Sequence, residues 1–506
     1  SYFNYTMPGT TTFERENYSS INSRLVKQNQ EWKYLGLSHL GSLGIDYDPD
    51  RYNSFAFVSS IFYYERNYSI KNNINFYDVN NNFNTNFYNE NYDPRNGINY
   101  EVTLSYLKKF EDDNGEINSF VNYSKRDEKV ETKYNNIISN AISRQVKNAN
   151  NNFNFVNFQF DYLKKYEDSK LEAGLKSNLR FIGGNYSYKY LDNNSNQWLP
   201  IEGRDNNFDY TDLISASYIE YSGDYKKLSY KVGIRTELTN VDFSVKDSTQ
   251  TFSNNYLDFF PSISLTQKID LSNQIQAGYS RRINRPVVFL LNPFVEQFDD
   301  YTSRSGNPYL NPEYINSVEL GYTKYFNFGV FTLTGFYRNV NDPINYVTTV
   351  DSNGASFMKP ENIGTSKTFG LEFINQSSIA KWWTLNGSLT YYSTKIEGSN
   401  SNFSVNKKYS SWAARLSTSL SLKNLFDAQI TYFYYGKQIM AAGDIEPSQV
   451  LNFSIQKNLF DDRLMLNFKI NDLFNQQKFT VQSAGTNYTF YAKKAFDAQS
   501  NLAAAV

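Results

Sequence analysis

Along most of this chain apolar and polar residues alternate with a period of two. In Leu464–Asn471 one face carries Leu464, Leu466, Phe468 and Ile470, and the other carries Asn467, Lys469 and Asn471 after Met465. Leu451, Phe453 and Ile455 alternate with Asn452, Ser454 and Gln456. Trp383, Leu385, Leu389 and Tyr391 alternate with Thr384, Asn386, Ser388, Thr390 and Tyr392. Such alternation marks a strand with two unlike faces. The second face is too polar to bury against another sheet, so it looks onto water. Read this way the chain holds about 20 strands, with ends placed to within ~2–4 residues.

The connections between strands fall into two kinds. Tight hairpin turns are predicted at Asp48–Arg51, Asp112–Gly115, Glu167–Lys170, Gly223–Lys226, Asp270–Asn273, around Asn327, and at Ala380-Lys381, Lys423-Asn424 and Asp461-Asp462. Polar, Asn-rich loops of unequal length are predicted near 20–32, 70–97, 136–151, 189–208, 241–255, 285–314, 341–365, 396–407, 441–446 and 475–485. The two kinds alternate, which sends short turns to one end and long loops to the other. That asymmetry defines an all-β fold: a large closed antiparallel transmembrane β-barrel with short periplasmic turns and long extracellular loops.

Composition agrees with that reading. The chain has 506 residues, more than one ordinary core accommodates, yet no stretch shifts to linker character. Aromatic residues make up 17%, with 43 Tyr, 40 Phe and 5 Trp. Phe62, Tyr63 and Tyr64, or Tyr432–Tyr435, suit a girdle at a membrane interface better than a ligand site. Mean hydropathy of −0.60 is no objection, because alternation averages to an ordinary value. A net charge of −1 gives no electrostatic footprint for nucleic acid. There is no Cys, so neither a disulfide scaffold nor thiolate chemistry is available.

Catalytic and metal motifs are not legible. The single histidine, His39, lies on a strand and has no partner set for zinc or nucleophilic chemistry. Asp46, Asp48 and Asp50 have the spacing that opens a calcium loop, but Arg51 and Phe57 stand where that loop needs Gly and Glu. No cofactor site and no enzymatic activity are predicted.

The stretch Tyr279–Tyr322 breaks the pattern. It carries Pro286, Pro293, Pro308 and Pro312, each fixing its own φ and removing a backbone donor. Asn292-Pro293, Asn307-Pro308 and Asn311-Pro312 are turn-forming pairs, and Gly306 offers a position free to take positive φ. An ordered loop is expected, with Phe289, Phe294, Phe298, Tyr301 and Tyr309 as packing surface. Arg281, Arg282, Arg285 and Arg304 stand in or beside it, where they either meet an anionic ligand or pair with Glu296, Asp299 and Asp300. With Phe294 and Tyr309 these arginines are the candidate ligand-binding residues.

The runs Arg281–Pro286, Leu291–Phe294 and Gly306–Glu313 resemble the long extracellular loop of TonB-dependent outer-membrane receptors, in the Tyr- and Asn-rich branch common in Bacteroidota. Asn471–Asn475 is similar to the Asn-Leu-Phe signature that ends the penultimate barrel strand in that family. The resemblance implies a barrel of 22 strands over residues 1–506, an outer-membrane location, and energised uptake of a scarce solute. It also implies contact with lipid and lipopolysaccharide and, where a plug domain exists, with the TonB complex. No plug is recognisable in this chain. The alternative is a scaffold barrel, with transport lost, held in a larger complex with a surface lipoprotein or other outer-membrane subunits.

Overall fold

Alternation is realised as a wall of antiparallel strands. The computed structural model describes residues 2–505 except 18–23, 79, 112–113, 139–140, 247–249, 300–301, 352–354, 400–403, 423–424, 442, 461–462, 486–487 and 497–498. Among the described residues the main sheet contains 25 strand segments. Twenty of these positions form the wall when Leu464–Asn471 with Lys478–Gly485, and Tyr488–Phe496 with Gln499–Ala505, are each taken as one interrupted strand. Each wall strand pairs antiparallel with the next, and the order of pairing returns to the first strand, where Gly9–Asn17 runs against Tyr488–Phe496. Below that seam Gln499–Ala505 keeps its pairing with Met465–Asn471 on the other edge, and among the described residues it does not pair with the first strand. The seam is therefore zipped over the loop-side half of the first strand only.

The register explains the alternation rung by rung. Ile45 stands opposite Phe57, Phe57 opposite Leu104, Leu104 opposite Val121, and Val121 opposite Phe158. Further round, Ile219 faces Ile234, Leu333 faces Phe373, Phe373 faces Leu389, and Ile455 faces Phe468. This is a continuous apolar band on the outside, and Leu466, Phe468 and Phe453 belong to it. One residue along, the inner face carries Val58, Thr103, Asn122, Asn157 and Asn178 on successive rungs. Asn122 donates to Thr103 Oγ1 at 2.8 Å, and Asn157 to Asn122 Oδ1 at 3.1 Å. A lipid-facing band around a hydrogen-bonded polar lumen is the spanning solution for strands, because neighbouring strands pair their backbone groups in the ladder.

Several segments expected as loops are strand. The second wall strand runs Arg24–Asp50 and the fourth Phe83–Lys109, each 27 residues, where a crossing needs about 9–11. At roughly 3.3 Å per residue such a strand is about 90 Å long, so the wall rises far beyond the membrane. The expected loop at 70–97 shrinks to the few residues between Tyr77 and Phe83. That at 136–151 shrinks to the gap between Ile138 and Ala141, and that at 241–255 to the gap between Val245 and Thr251. The cause is a reversal of polarity along the strand. On Asn53–Tyr77 the outer face reads Phe55, Phe57, Ser59, Ile61 and Tyr63, then Glu65, Asn67, Ser69, Lys71 and Asn73. Above the lipid band it is the inner face that turns apolar: Ile74 and Phe76 are buried with Val26 against Phe87. Asparagine, which suggested turns, instead braces the wall across strands. Gln30 donates to Asn72 at 2.9 Å, Asn72 to Asn89 at 3.3 Å, and Asn89 to Asn136.

The aromatic run Phe62–Tyr64 is divided by the same alternation. Tyr63 stacks on His39 with ring centres 6.4 Å apart, on the outer face. Tyr64 is buried inside and donates to Glu128 Oε2 at 2.6 Å. A girdle claims only one of the three. The turn end is built as expected where it is described: Asp50 accepts from the amides of Tyr52 and Asn53 at 2.8 and 2.9 Å, and Asp270 from Ser272 at 2.7 Å. The turns at Lys423-Asn424 and Asp461-Asp462, and Asp112 and Asp113, lie outside the described residues.

Candidate functional site

The proline-rich segment between Asn284 and Glu313 folds inward against the wall. A four-residue helix, Val288–Leu291, follows Pro286. Leu291 and Leu310 are buried at 5% and 2% exposure against Phe208, Tyr210 and Phe243, which project from two neighbouring wall strands. Phe208 and Phe243 stack at 5.5 Å. The loop's turns close on themselves through asparagine side chains: Asn292 Oδ1 accepts from the amide of Phe294 at 3.0 Å, and Asn307 Oδ1 from that of Tyr309 at 3.1 Å. The Asn-Pro pairs are therefore caps as well as turns.

A second, four-stranded sheet extends the loop. Glu296–Asp299 pairs with Thr302–Arg304, which runs parallel to Ser356–Met358, and Ser356–Asn362 pairs with Ile344–Val350. This fastens the loop after Asn284 to the next long connection, 342–364. Asn362 clamps the junction, accepting from the amide of Asn311 at 2.8 Å and donating to Asp342 O at 2.7 Å.

Gly306 serves close approach and not positive φ. Its amide donates to Asn292 O at 2.8 Å, and a Cβ there would meet the Asn292 and Leu290 carbonyl oxygens at 2.5 and 2.6 Å. Both obstacles are backbone, so neither yields cheaply. Gly306→Ala is expected to cost about 1–3 kcal/mol, as overpacking does. Hydrogen exchange at Gly306 and Asn307 would rise accordingly, and unchanged protection there would refute the tight crossing.

Arg285 ties the loop to the wall. Its guanidinium donates to Glu237 Oε2 at 2.7 Å, Thr239 Oγ1 at 2.9 Å and Tyr256 OH at 3.1 Å. Glu237 accepts from Arg235 as well, at 2.5 Å. Arg304 pairs with Glu296 inside the small sheet, donating from Nε and Nη2 at 3.0 and 2.7 Å. Arg281 lies over the ring of Tyr314 at 4.9 Å. Arg282 is exposed on the wall strand, and Tyr309, 75% exposed, meets Phe252 edge-on at 5.4 Å. Of the six candidates only Phe294 and Arg304 line one cavity. Asp300 and Tyr301 lie outside the described residues, as do the side chains of Phe298 and Asp299.

That cavity, of about 340 Å³, lies between the loop and the inner wall. Sequence reasoning missed its wall-side residues Lys147, Tyr186 and Tyr188. Tyr188 stacks on Phe294 at 6.4 Å and Tyr186 on Phe208 at 6.2 Å. The Lys147 ammonium lies 5.5 and 5.9 Å from the centres of the Tyr186 and Tyr188 rings. Lys147 stands above the lipid band, and burial there holds its pKa below the usual lysine value. Burial raises the phenol of Tyr346, on the loop side, although Arg304 opposes this. Among the described residues no group of three His, Cys, Asp or Glu side chains is placed to hold a metal ion.

A lipid-banded barrel whose inward loop builds a cavity on its upper wall is an outer-membrane β-barrel architecture. The chain belongs to the outer membrane protein β-barrel family, whose sequence profile matches residues 108–503, and it is an outer-membrane protein. It is similar in fold to the copper transporter OprC, at 10% identity over 98% of this chain and 81% of that one, with a TM-score of 0.58. Similar too are the ferric citrate transporter FecA, at 12% identity over 97% and 78% with 0.56, and the siderophore receptor PiuA of Acinetobacter baumannii, at 11% over 97% and 82% with 0.56. By sequence, no curated protein it was compared with matches.

Proposed function

We propose that this protein captures a scarce solute at the cell surface and admits it through the barrel in a TonB-dependent step. It does no bond chemistry of its own. The observation that carries the reading is the inward loop, held to the wall by Arg285 and Glu237 and fastened to the 342–364 connection, so that loop and wall together enclose a cavity. A loop already ordered by prolines and side-chain caps loses little entropy on binding, which is how preorganisation raises affinity. The solved transporters and receptors of like fold agree with import.

The test is removal of Asn292–Asn307. Cells would be supplied with limiting iron chelates, cobalamin, oligosaccharides or peptides, with TonB present and absent. The intact protein is expected to support TonB-dependent accumulation of one of them. The deletion is expected to abolish it while the barrel stays inserted and heat-resistant. Undiminished uptake together with release of a bound outer-membrane subunit would overturn the proposal in favour of a scaffold.

A further inference from the structure

We propose that the cavity between loop and wall is a binding site for a flat-ringed carboxylate, the anion pairing with Lys147 and the ring lying among Tyr186, Tyr188 and Phe294. As the class of solute imported, this rests on the import reading; as a site, it stands on the geometry of loop and wall.

The charges select the anion. Arg304 is satisfied by Glu296, and Arg95 by Asp93, which accepts from its Nη2 at 2.6 Å. Lys147 has no ion pair among the described residues, although Glu296 and Asp93 act on it through space. Its partners are two tyrosine rings, which attract the ammonium but supply no counter-charge. Among the residues that line the cavity the two cations, Lys147 and Arg304, exceed the one carboxylate, Glu296, by one unit, so the site is completed by a monoanion. Within the lining the contact on offer is a single ammonium, because the guanidinium of Arg304 is engaged by Glu296 and does not grip a doubly charged phosphate.

The walls select the ring. Phe153, Ile182, Phe208 and Phe289 give the cavity apolar sides, and its volume is within the usual range for small-molecule sites. Tyr188 with Phe294, and Tyr186 with Phe208, already stand nearly parallel, with interplanar angles of 21° and 20°. A third flat ring can join such stacks by offset packing. One wall of the site belongs to the loop and the other to the strands Ala141–Lys165, Ser169–Asp192 and Asn206–Tyr225, so occupancy also braces the loop.

The probe is 2-naphthoate, titrated by calorimetry into the purified full chain in detergent. We expect saturable binding, at least tenfold weaker for the neutral 2-naphthamide and for the non-planar adamantane-1-carboxylate. Lys147→Gln should weaken naphthoate at least tenfold, Lys147→Arg should retain most of the affinity, and Lys33→Gln, on the outer face, should change nothing. Phe294→Ala, on the loop, gives a second reading independent of the wall strand and should weaken naphthoate about fivefold. Equal binding of the amide, an unaffected Phe294→Ala, or stronger binding of inorganic phosphate would overturn the proposal. Naphthoate binding without TonB-dependent accumulation in cells would sink the import reading and leave the site standing.

Discussion

Glu237→Ala is expected to release the loop from the wall without unfolding the barrel. The side chains of Glu237 and Arg285 are 10% and 18% exposed, and the acid accepts from both Arg235 and Arg285. Removing the carboxylate leaves two guanidinium groups facing each other inside the barrel. Breaking a buried pair by removing one partner typically costs about 3–5 kcal/mol, much of it the burden of the charge left behind. The loss should fall on the loop, because the wall strands keep their ladders. Fast hydrogen exchange across Val288–Leu310 and new external protease cuts there should appear, with heat-resistant mobility unchanged. The pair Glu237→Leu with Arg285→Met should recover part of the loss, since it removes both charges. Full loop protection in Glu237→Ala would show that the hydrophobic contacts of Leu291 and Leu310 hold the loop alone.

How much of this was legible in the sequence depends on the distance over which the signal is carried. The lipid band was legible because Leu464–Asn471 and its like alternate over eight residues at constant phase. The extracellular walls were not, because the strand Asn53–Tyr77 keeps its geometry while the apolar side changes from outer to inner near Tyr63 and Tyr64. Seen locally, such a stretch is polar on both faces, and its asparagines imitate turns. The loop announced itself through four prolines within 27 residues. Its anchors did not: the reading offered Arg285 the nearby acids Glu296, Asp299 and Asp300, whereas the acid it uses lies 48 residues back on a wall strand. Arg304 took the near partner, Glu296, that was offered. Lys147 sits in an Asn-rich run with no local cue. Only the register that sets it opposite Tyr188 gives it an environment.

Phe468→Arg is expected to be far more costly than Asn467→Arg, its immediate neighbour. Phe468 is 37% exposed on the outer face and pairs across the rung with Ile455, whose own partner on the other side is Ala428. Asn467 points the other way, opposite Gln456, to which it donates at 3.5 Å. An arginine on the lipid face near the midplane of a barrel costs about 2–4 kcal/mol, because its guanidinium must either shed water or drag water into the bilayer. An arginine at Asn467 extends into the polar lumen, keeps its hydration, and loses one long amide contact worth about 1 kcal/mol or less. Equilibrium unfolding of the two variants from lipid vesicles measures the difference directly. Equal costs would mean that the strand is rotated or slipped by one residue. A one-residue slip exchanges every inward and outward side chain on the strand, so the same result would remove the apolar band from this part of the wall.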